Sequence, residues 1–300
     1  MLKLKNISVA FKDKVVIDNL SLTAEKGEII GLAAPNGMGK TTLFNIIANF
    51  LKPTKGEVVF GEQHRYNREK GKLAIYKKLA TFPEQSDLFD ELTGIDHLKL
   101  YANMWQGNTR HISQVIEKLK MGHYVKRKVG TYSLGMRQRL CFAMMVAADT
   151  EVMLMDEVMN GLDFENVALL SSYLQEMKAQ QKLIFVSSHL LENLDLYADR
   201  VLFLKDGKIV HQHVLEADHE AFIKVVLSLE EYQQFKLQYA LPEMHQYIGD
   251  RLLCIPLKGF STQQKIEWIE RVLNFTTQEL TIGKLGTVEH YEKYYHSTDE

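Results

Sequence analysis

Residues 34–42 read Ala-Pro-Asn-Gly-Met-Gly-Lys-Thr-Thr, and they are the most informative part of this sequence. It follows Glu28-Ile-Ile-Gly-Leu-Ala, which predicts a strand. It precedes a segment from Thr41 to about Leu51 whose apolar spacing predicts a helix that stops near Pro53. Small residues between a strand and a helix let backbone N–H groups surround a phosphate at the helix N-terminus. The stretch therefore predicts a phosphate-binding loop, with alanine at the first position, where glycine is usual.

Individual residues of this loop suit a nucleoside triphosphate and a magnesium ion. Gly37 and Gly39 permit close approach of the backbone, and Lys40 is placed to reach the β- and γ-phosphates. Thr41 offers a hydroxyl to Mg²⁺. We expect the whole loop to bind the nucleotide through Ala34, Pro35, Asn36, Gly37, Met38, Gly39, Lys40, Thr41 and Thr42. Taken alone the loop indicates only a nucleotide-binding protein, since a kinase or a GTPase also carries one.

An acidic pair follows a second apolar stretch. The run Val152-Met-Leu-Met predicts a buried strand and ends in Asp156-Glu157. Such a strand delivers carboxylates to the edge of a sheet, so we expect Asp156 to contact Mg²⁺. Glu157 is placed to polarise a water molecule toward the γ-phosphate. An Asp-Glu pair is common at strand ends, and it becomes specific only in this order with the loop at 34–42.

Further outward, short apolar strands alternate with helical segments, which predicts a parallel sheet covered on both faces. The alternation fades after about Gln212, and a new pattern of strands and helices predicts a small α/β accessory module. The strands of this module are expected at 222–227, 251–257 and 279–282, and its helices near 230–241, 261–274 and 286–296. We predict domains at 1–215 and 216–300, with a helical part of the first at about 86–150.

Composition limits the classes of protein. The net charge of −2 over 300 residues argues against a nucleic-acid backbone as the main partner. Cys141 and Cys254 form no disulfide or metal-binding pattern, which fits a reducing cytoplasm. No apolar run approaches the roughly 20 residues that a membrane-spanning helix needs. The sequence predicts a soluble cytoplasmic chain that would work on a membrane only through a partner.

Six features in order along the chain resemble the ATP-binding cassette of ABC transporters. They are the loop at 34–42, Gln85 in Phe82-Pro-Glu-Gln, Tyr132-Ser-Leu-Gly-Met, Asp156-Glu157, Asn160-Gly-Leu-Asp163, and His189 in Ser187-Ser-His. The resemblance covers about residues 1–215. It implies an α/β P-loop NTPase fold with a mostly parallel core sheet flanked by helices, an N-terminal antiparallel β-subdomain and a helical signature subdomain. It also implies Mg²⁺-dependent ATP hydrolysis, with ATP and Mg²⁺ as cofactors.

The resemblance assigns roles to two residues near the catalytic carboxylate. Gln85 would contact Mg²⁺ and sense the membrane partner. His189 would contact the γ-phosphate and hold Glu157 and the water molecule. Phe11 lies where the family often places an aromatic ring that stacks on adenine. The alternative for Phe11 is a core residue that closes a strand.

Other residues would act across a dimer of cassettes. Ser133 and Gly135, followed by Met136, would open a helix whose N-terminus contacts the γ-phosphate bound to the opposite subunit, as helix N-termini favour phosphate. Asp163 would link the two sites. Leu134 and Met136 depart from the usual Gly and Gln of this signature. Similar Tyr-Ser-x-Gly-Met signatures occur in cassettes that resemble bacterial bacitracin- and lantibiotic-type exporters.

A single cassette implies a second ATPase subunit, identical or different, in a head-to-tail dimer, together with separate transmembrane permease subunits on the cytoplasmic side of a membrane. The ending Leu285-Gly-Thr-Val-Glu-His-Tyr is similar to tails of cassettes that serve bacterial exporters, which favours export of a peptide, an antibiotic or another amphipathic compound. The alternatives are an importer ATPase subunit, a non-transport ABC ATPase and a regulatory nucleotide sensor. Glu157 and His189 argue against a sensor that does not hydrolyse ATP.

Overall fold

A computed structural model describes residues 1–12, 14–61, 64–105, 109–217 and 220–296. The chain divides into two compact units, Met1–Gln212 and His213–Glu300. Residues 106–108 of the predicted helical part lie outside the described residues. Among the helices of the described ranges, none has both the length and the apolar character of a membrane span.

The strands of the first unit build two sheets. Their bounds are β1 (Leu2–Phe11), β2 (Lys14–Ala24), β3 (Glu28–Ala33), β4 (Lys55–Phe60), β5 (His64–Arg65), β6 (Leu79–Thr81), β7 (Val152–Met155), β8 (Leu183–Ser187), β9 (Arg200–Lys205) and β10 (Lys208–Val214). Strands β2-β1-β4-β5 form the antiparallel sheet that the resemblance implies. The other sheet has the order β10-β9-β3-β8-β7-β6, in which the strands from β9 to β6 are parallel. The predicted mostly parallel core sheet is confirmed.

The apolar residues of the core strands explain why these strands lie inside the parallel sheet. Every residue of β7 and β8 is buried, which is typical of strands inside a parallel sheet. Strands β9 and β10 are neighbours in the sheet and are joined by a tight turn. The turn residues Asp206 and Gly207 have φ values of 50° and 76°, as a two-residue type I′ turn requires.

The helices of the first unit include the predicted ones, with shifted ends. Their bounds are α1 (Lys40–Ile47), α2 (Glu69–Tyr76), α3 (Gly94–Trp105), α4 (Ile112–Lys118), α5 (Leu134–Ala148), α6 (Phe164–Ala179) and α7 (Leu191–Leu194). The prediction that the first helix continues to about Leu51 is wrong. Asn49 has a φ of 60°, and the N–H groups of Phe50 and Leu51 both donate to the Asn45 carbonyl, which closes the helix early.

The second unit is an antiparallel sheet with the order β12-β13-β11-β14. Along the chain its elements are β11 (Phe222–Val226), α8 (Leu229–Gln238), β12 (Gln246–Ile248), β13 (Leu252–Pro256), α9 (Thr262–Phe275), β14 (Leu280–Gly283) and α10 (Thr287–Tyr295). This succession of strands and helices with this strand order is the ferredoxin-like arrangement, here followed by α10. Side chains of β11 and β13 pack with Tyr232, Phe235 and Trp268 of α8 and α9 in one apolar core.

Candidate functional site

Four neighbouring parallel strands end at one edge of the core sheet, and each leads into a predicted motif. Strand β3 leads into the loop at 34–42, β6 into Gln85, β7 into Asp156 and β8 into His189. In open sheets of this kind, ligands bind outside the carboxyl ends of the strands. Motifs that are far apart in the sequence therefore share one edge.

Two glycines in the loop at 34–42 adopt backbone conformations with positive φ, which glycine allows. Gly37 and Gly39 have φ values of 79° and 101°, and a Cβ at Gly39 would lie 3.2 Å from the Val16 carbonyl oxygen. Lys40 begins α1, is buried, and donates from Nζ to the Ala34 carbonyl at 2.5 Å. Burial lowers the pKa of Lys40, and the negative charges of Asp156 and Glu157 act against that shift.

Asp156 lies beside Thr41. The Thr41 hydroxyl donates to Asp156 Oδ2 at 2.9 Å, so two of the three predicted magnesium-binding side chains meet across 115 residues of sequence. The buried Ser187 hydroxyl donates to Asp156 Oδ1 and accepts the Glu157 N–H at 3.0 Å. Paired hydroxyl and carboxylate oxygens are the ligand types that Mg²⁺ prefers, so these residues fit that ion.

Glu157 has a strained backbone and a well-held side chain. Its φ is 53°, in the left-handed region that costs a non-glycine residue about 1–3 kcal/mol. One carboxylate oxygen accepts a hydrogen bond from Asn160 Nδ2, and the other contacts Nε2 of His189. The structure thus brings Glu157 and His189 into contact and adds Asn160.

Gln85 lines a cleft of about 700 Å³ together with Thr41, Asp156, Glu157 and other residues. Its Nε2 donates to Gln138 Oε1 at 2.6 Å. Carboxylate, hydroxyl and amide groups therefore converge on one space beside the loop at 34–42.

Lys40 and His189 are not among the residues that line this cleft, and neither are the predicted residues on the helices α5 and α6 or Phe11. Ser133 is the N-cap of α5, where its hydroxyl accepts the Met136 N–H at 3.3 Å, and Gly135 lies in the first turn of that helix. Asp163 is the N-cap of α6 and accepts the Asn166 N–H at 2.9 Å. Phe11 is 48% exposed, so it is not the core residue of the alternative interpretation.

The sequence did not predict the hydrogen bonds that Ser187, Gln138 and Asn160 make in the site. Each lies inside or next to a quoted motif, but the motifs predict no contact for any of them. Gln138 carried one usable signal, because it is a polar residue two positions before Leu140–Ala148, where every residue is apolar.

Comparison with known proteins places these features in a family. Residues 17–160 match the family model described as ABC transporter. An uncharacterized ABC transporter ATP-binding protein, YhcH of Bacillus subtilis, is 34% identical over 70% of this chain and 68% of its own length. The lantibiotic transport ATP-binding protein SrtF of Streptococcus pyogenes is 29% identical over 70% of this chain and 89% of its own. The SkfA peptide export ATP-binding protein SkfE of Bacillus subtilis is also 29% identical, over 70% and 87%.

Solved structures agree with the fold. The dimeric structure of MJ0796, a bacterial ABC transporter cassette, has a TM-score of 0.61 and 26% identity, and it covers 72% of this chain and 99% of that one. The same cassette is also known as a dimer in a post-hydrolysis state bound to ADP and Pi. The ordered motifs, the converging strand ends and the relatives lead to one conclusion: this chain belongs to the family of ABC transporter ATP-binding proteins, and its first unit has the ABC ATPase cassette fold.

Proposed function

We propose that this chain binds ATP with Mg²⁺, hydrolyses it, and so drives transport through separate membrane subunits. The observation that carries the proposal is the placement of two carboxylates at the end of β7. Asp156 is paired with the Thr41 hydroxyl, and Glu157 is held between Asn160 and His189. In this proposal Asp156 would bind the metal and Glu157 would face the attacking water molecule.

Binding of the nucleotide rests on the loop at 34–42 and on Lys40. The Lys40 ammonium lies at the start of α1, where it can exchange the Ala34 carbonyl for phosphate oxygens. Thr41, Asp156 and Gln85 would hold Mg²⁺. When bound, this ion neutralises charge on the β- and γ-phosphates.

Glu157 would act on the attacking water. Its carboxylate accepts hydrogen bonds, so it can orient the water and take up its proton. Asn160 and His189 restrict that carboxylate from two sides. With hydrogen on Nε2, His189 donates to Glu157, and the same N–H is available to a γ-phosphate oxygen when the site rearranges around a nucleotide.

A complete site would need a second cassette. We propose a head-to-tail dimer, homo- or heteromeric, in which Ser133, Gly135 and Met136 of one subunit approach the nucleotide of the other, with Asp163 between the two sites. The related MJ0796 cassette is dimeric in its solved structure, and Ser133 of this chain is exposed at a helix N-terminus, which favours an anion. The chain would lie at the cytoplasmic side of a membrane, bound to permease subunits.

The direction of transport is proposed from the names of relatives alone. SrtF is named for lantibiotic transport and SkfE for peptide export. We propose export of a peptide, an antibiotic or another amphipathic compound. Purification of the tagged Glu157→Gln chain from native membranes in ATP should recover polytopic membrane proteins, and their absence would contradict the transport assignment.

The first test of the proposed function is Lys40→Ala. Loss of the ammonium should abolish binding of MgATP in calorimetry, because the triphosphate loses its counter-charge. Lys182→Ala is a matched control: Lys182 is also largely buried and donates to a backbone carbonyl, that of Asp149 at 2.9 Å, but it precedes β8 at the other edge of the sheet. Wild-type affinity in Lys40→Ala would refute the nucleotide site.

A further inference from the structure

Gln138 lies at the centre of a hydrogen-bond network that ties together three parts of the cleft. Its side chain is only 4% exposed. Its Nε2 donates to the carbonyl oxygens of Glu157 at 3.1 Å and Val158 at 2.9 Å, and its Oε1 accepts from Gln85 at 2.6 Å. We propose that Gln138 is a positioning residue that couples the orientation of Gln85 to the backbone beneath the catalytic carboxylate. The inference rests on the proposed ATPase function.

The chemistry of the amide determines the direction of every bond in this network. Carbonyl oxygens only accept hydrogen bonds, so the NH₂ group of Gln138 must face Glu157 and Val158. Its oxygen then faces Gln85, which must present its own NH₂ group. The oxygen of Gln85 is consequently the atom directed away from Gln138, and it is the only kind of atom in that side chain that can bind a cation. Gln138 thereby selects the amide orientation of Gln85 that suits a metal.

The same side chain supports the strained turn at Glu157. A left-handed conformation at a non-glycine residue persists only where the surroundings hold it. Ser187 holds the N–H of Glu157, and Gln138 holds the carbonyl oxygens of Glu157 and Val158. Together these contacts fix the peptide groups on both sides of the Glu157 side chain.

Gln138 is also part of the helix that Ser133 caps. Helix α5 begins at Leu134, so Gln138 and the Ser133 cap are held on one short rigid segment. A displacement of this segment would move Gln138, which is the partner of both Gln85 and Glu157. It would therefore change the positions of the proposed metal ligand and of the proposed catalytic base together.

The test uses the full chain with Gln138→Met, which preserves side-chain length and removes the polar atoms. Gln175→Met is the matched control, because Gln175 also donates its amide to a backbone carbonyl, that of Tyr197 at 2.9 Å, on helix α6 away from the network. We expect kcat for ATP to fall at least about 10-fold in Gln138→Met, as for a slightly misplaced catalytic group. We expect KM to stay unchanged, and both constants to stay unchanged in Gln175→Met. The asparagine side chain in Gln138→Asn is too short to reach the same partners, so this variant should behave like Gln138→Met. It is the variant to measure if Gln138→Met does not fold.

A second readout does not depend on turnover. Amide hydrogen exchange in residues 156–160 should become faster in Gln138→Met than in wild type, and should not change in Gln175→Met. Combining Gln85→Ala with Gln138→Met should lower kcat by less than the product of the two separate effects, since the residues act through one contact.

The outcomes separate the two proposals. Equal kcat in Gln138→Met and Gln175→Met, or unchanged exchange at 156–160, would overturn the role of Gln138. A wild-type chain that binds ATP without hydrolysing it would overturn the proposed function instead, and the exchange comparison would still decide whether Gln138 holds the turn at Glu157.

Discussion

Replacement of Glu157 by glutamine is the most direct test of the proposed chemistry. The substitution keeps the shape of the side chain and removes the charge that polarises water. In the structure the carboxylate has one oxygen toward Asn160 Nδ2 and the other toward His189 Nε2. With hydrogen on His189 Nε2, both neighbours are donors, and an amide has only one oxygen to accept from them, so one of the two contacts is lost.

The expected effect on rate is large and that on stability is small. Loss of a general base lowers turnover about 100- to 10,000-fold, which corresponds to about 3–5 kcal/mol of transition-state free energy. Glu157 and His189 are 40% and 42% exposed, so the donor left without its partner can reach water. The lost hydrogen bond should therefore lower the free energy of unfolding by only about 1 kcal/mol.

Steady-state phosphate release measures the rate, and size-exclusion chromatography with ATP measures assembly. The variant should bind ATP normally and accumulate a dimer, because hydrolysis is slow and repulsion between the carboxylate and the triphosphate is relieved. Turnover within a few-fold of wild type would mean that Glu157 is not the catalytic carboxylate and that His189 alone positions the water.

Glu151→Gln is the matched control at the opposite end of β7, and it should leave turnover unchanged. Hydrogen bonds from Lys26 and Lys78 lower the pKa of Glu151 from 4.5 to about 2. A lowered carboxyl pKa stabilises the folded chain above about pH 4.5, and this contribution is lost as the pH falls toward 2. Because the side chain is 40% exposed, solvent screening limits the effect to about 1 kcal/mol or less. Urea unfolding at pH 7 and at pH 3 should show the difference between variant and wild type shrinking at the lower pH.

Other expected outcomes concern the dimer, the second unit and the turn at Gly161. Ser133→Arg should suppress turnover without weakening ATP binding by the monomer. If the chain forms homodimers, mixing this variant with Lys40→Ala under conditions of subunit exchange should restore part of the activity. No restoration in a proven homodimer would contradict a shared site. Truncation near Glu216 should leave calorimetric ATP binding intact, and a folded truncation that fails to bind would contradict an accessory role for the second unit. Gly161→Ala should lower the free energy of unfolding in urea by about 1 kcal/mol, because its φ is 71°. A Cβ at residue 161 would also contact the Leu134 side chain, but that side chain is exposed and can move aside. Adding Leu134→Ala should therefore not restore the lost stability, because the strain lies in the backbone. Full recovery would mean that the side-chain clash causes the loss.

Local sequence patterns were enough to predict the phosphate loop, the order of the cassette motifs and the positions of most elements. These features depend on short-range chemistry: glycines where φ is positive, uniformly apolar runs for buried strands, and polar residues that cap helices. The elements after residue 220, except β12, were located within a few residues by the same signals, for example α9 at Thr262–Phe275 against a predicted helix at 261–274. Helix α2 and strand β12 were missed, because a half-exposed helix and a three-residue strand leave little periodicity.

The contacts between side chains depend on the packing of elements that are distant in the sequence, so local patterns could not predict them. The parallel packing of β3, β8, β7 and β6 brings their ends to one edge, and the antiparallel order of the second unit follows from pairings that no local pattern records. Gln138 illustrates the limit. Its partner Gln85 is 53 residues away, and in the sequence it is one more polar residue on a helix. Its role arises because packing buries α5 against the turn at Glu157, where two carbonyl groups require a donor and one amide supplies it.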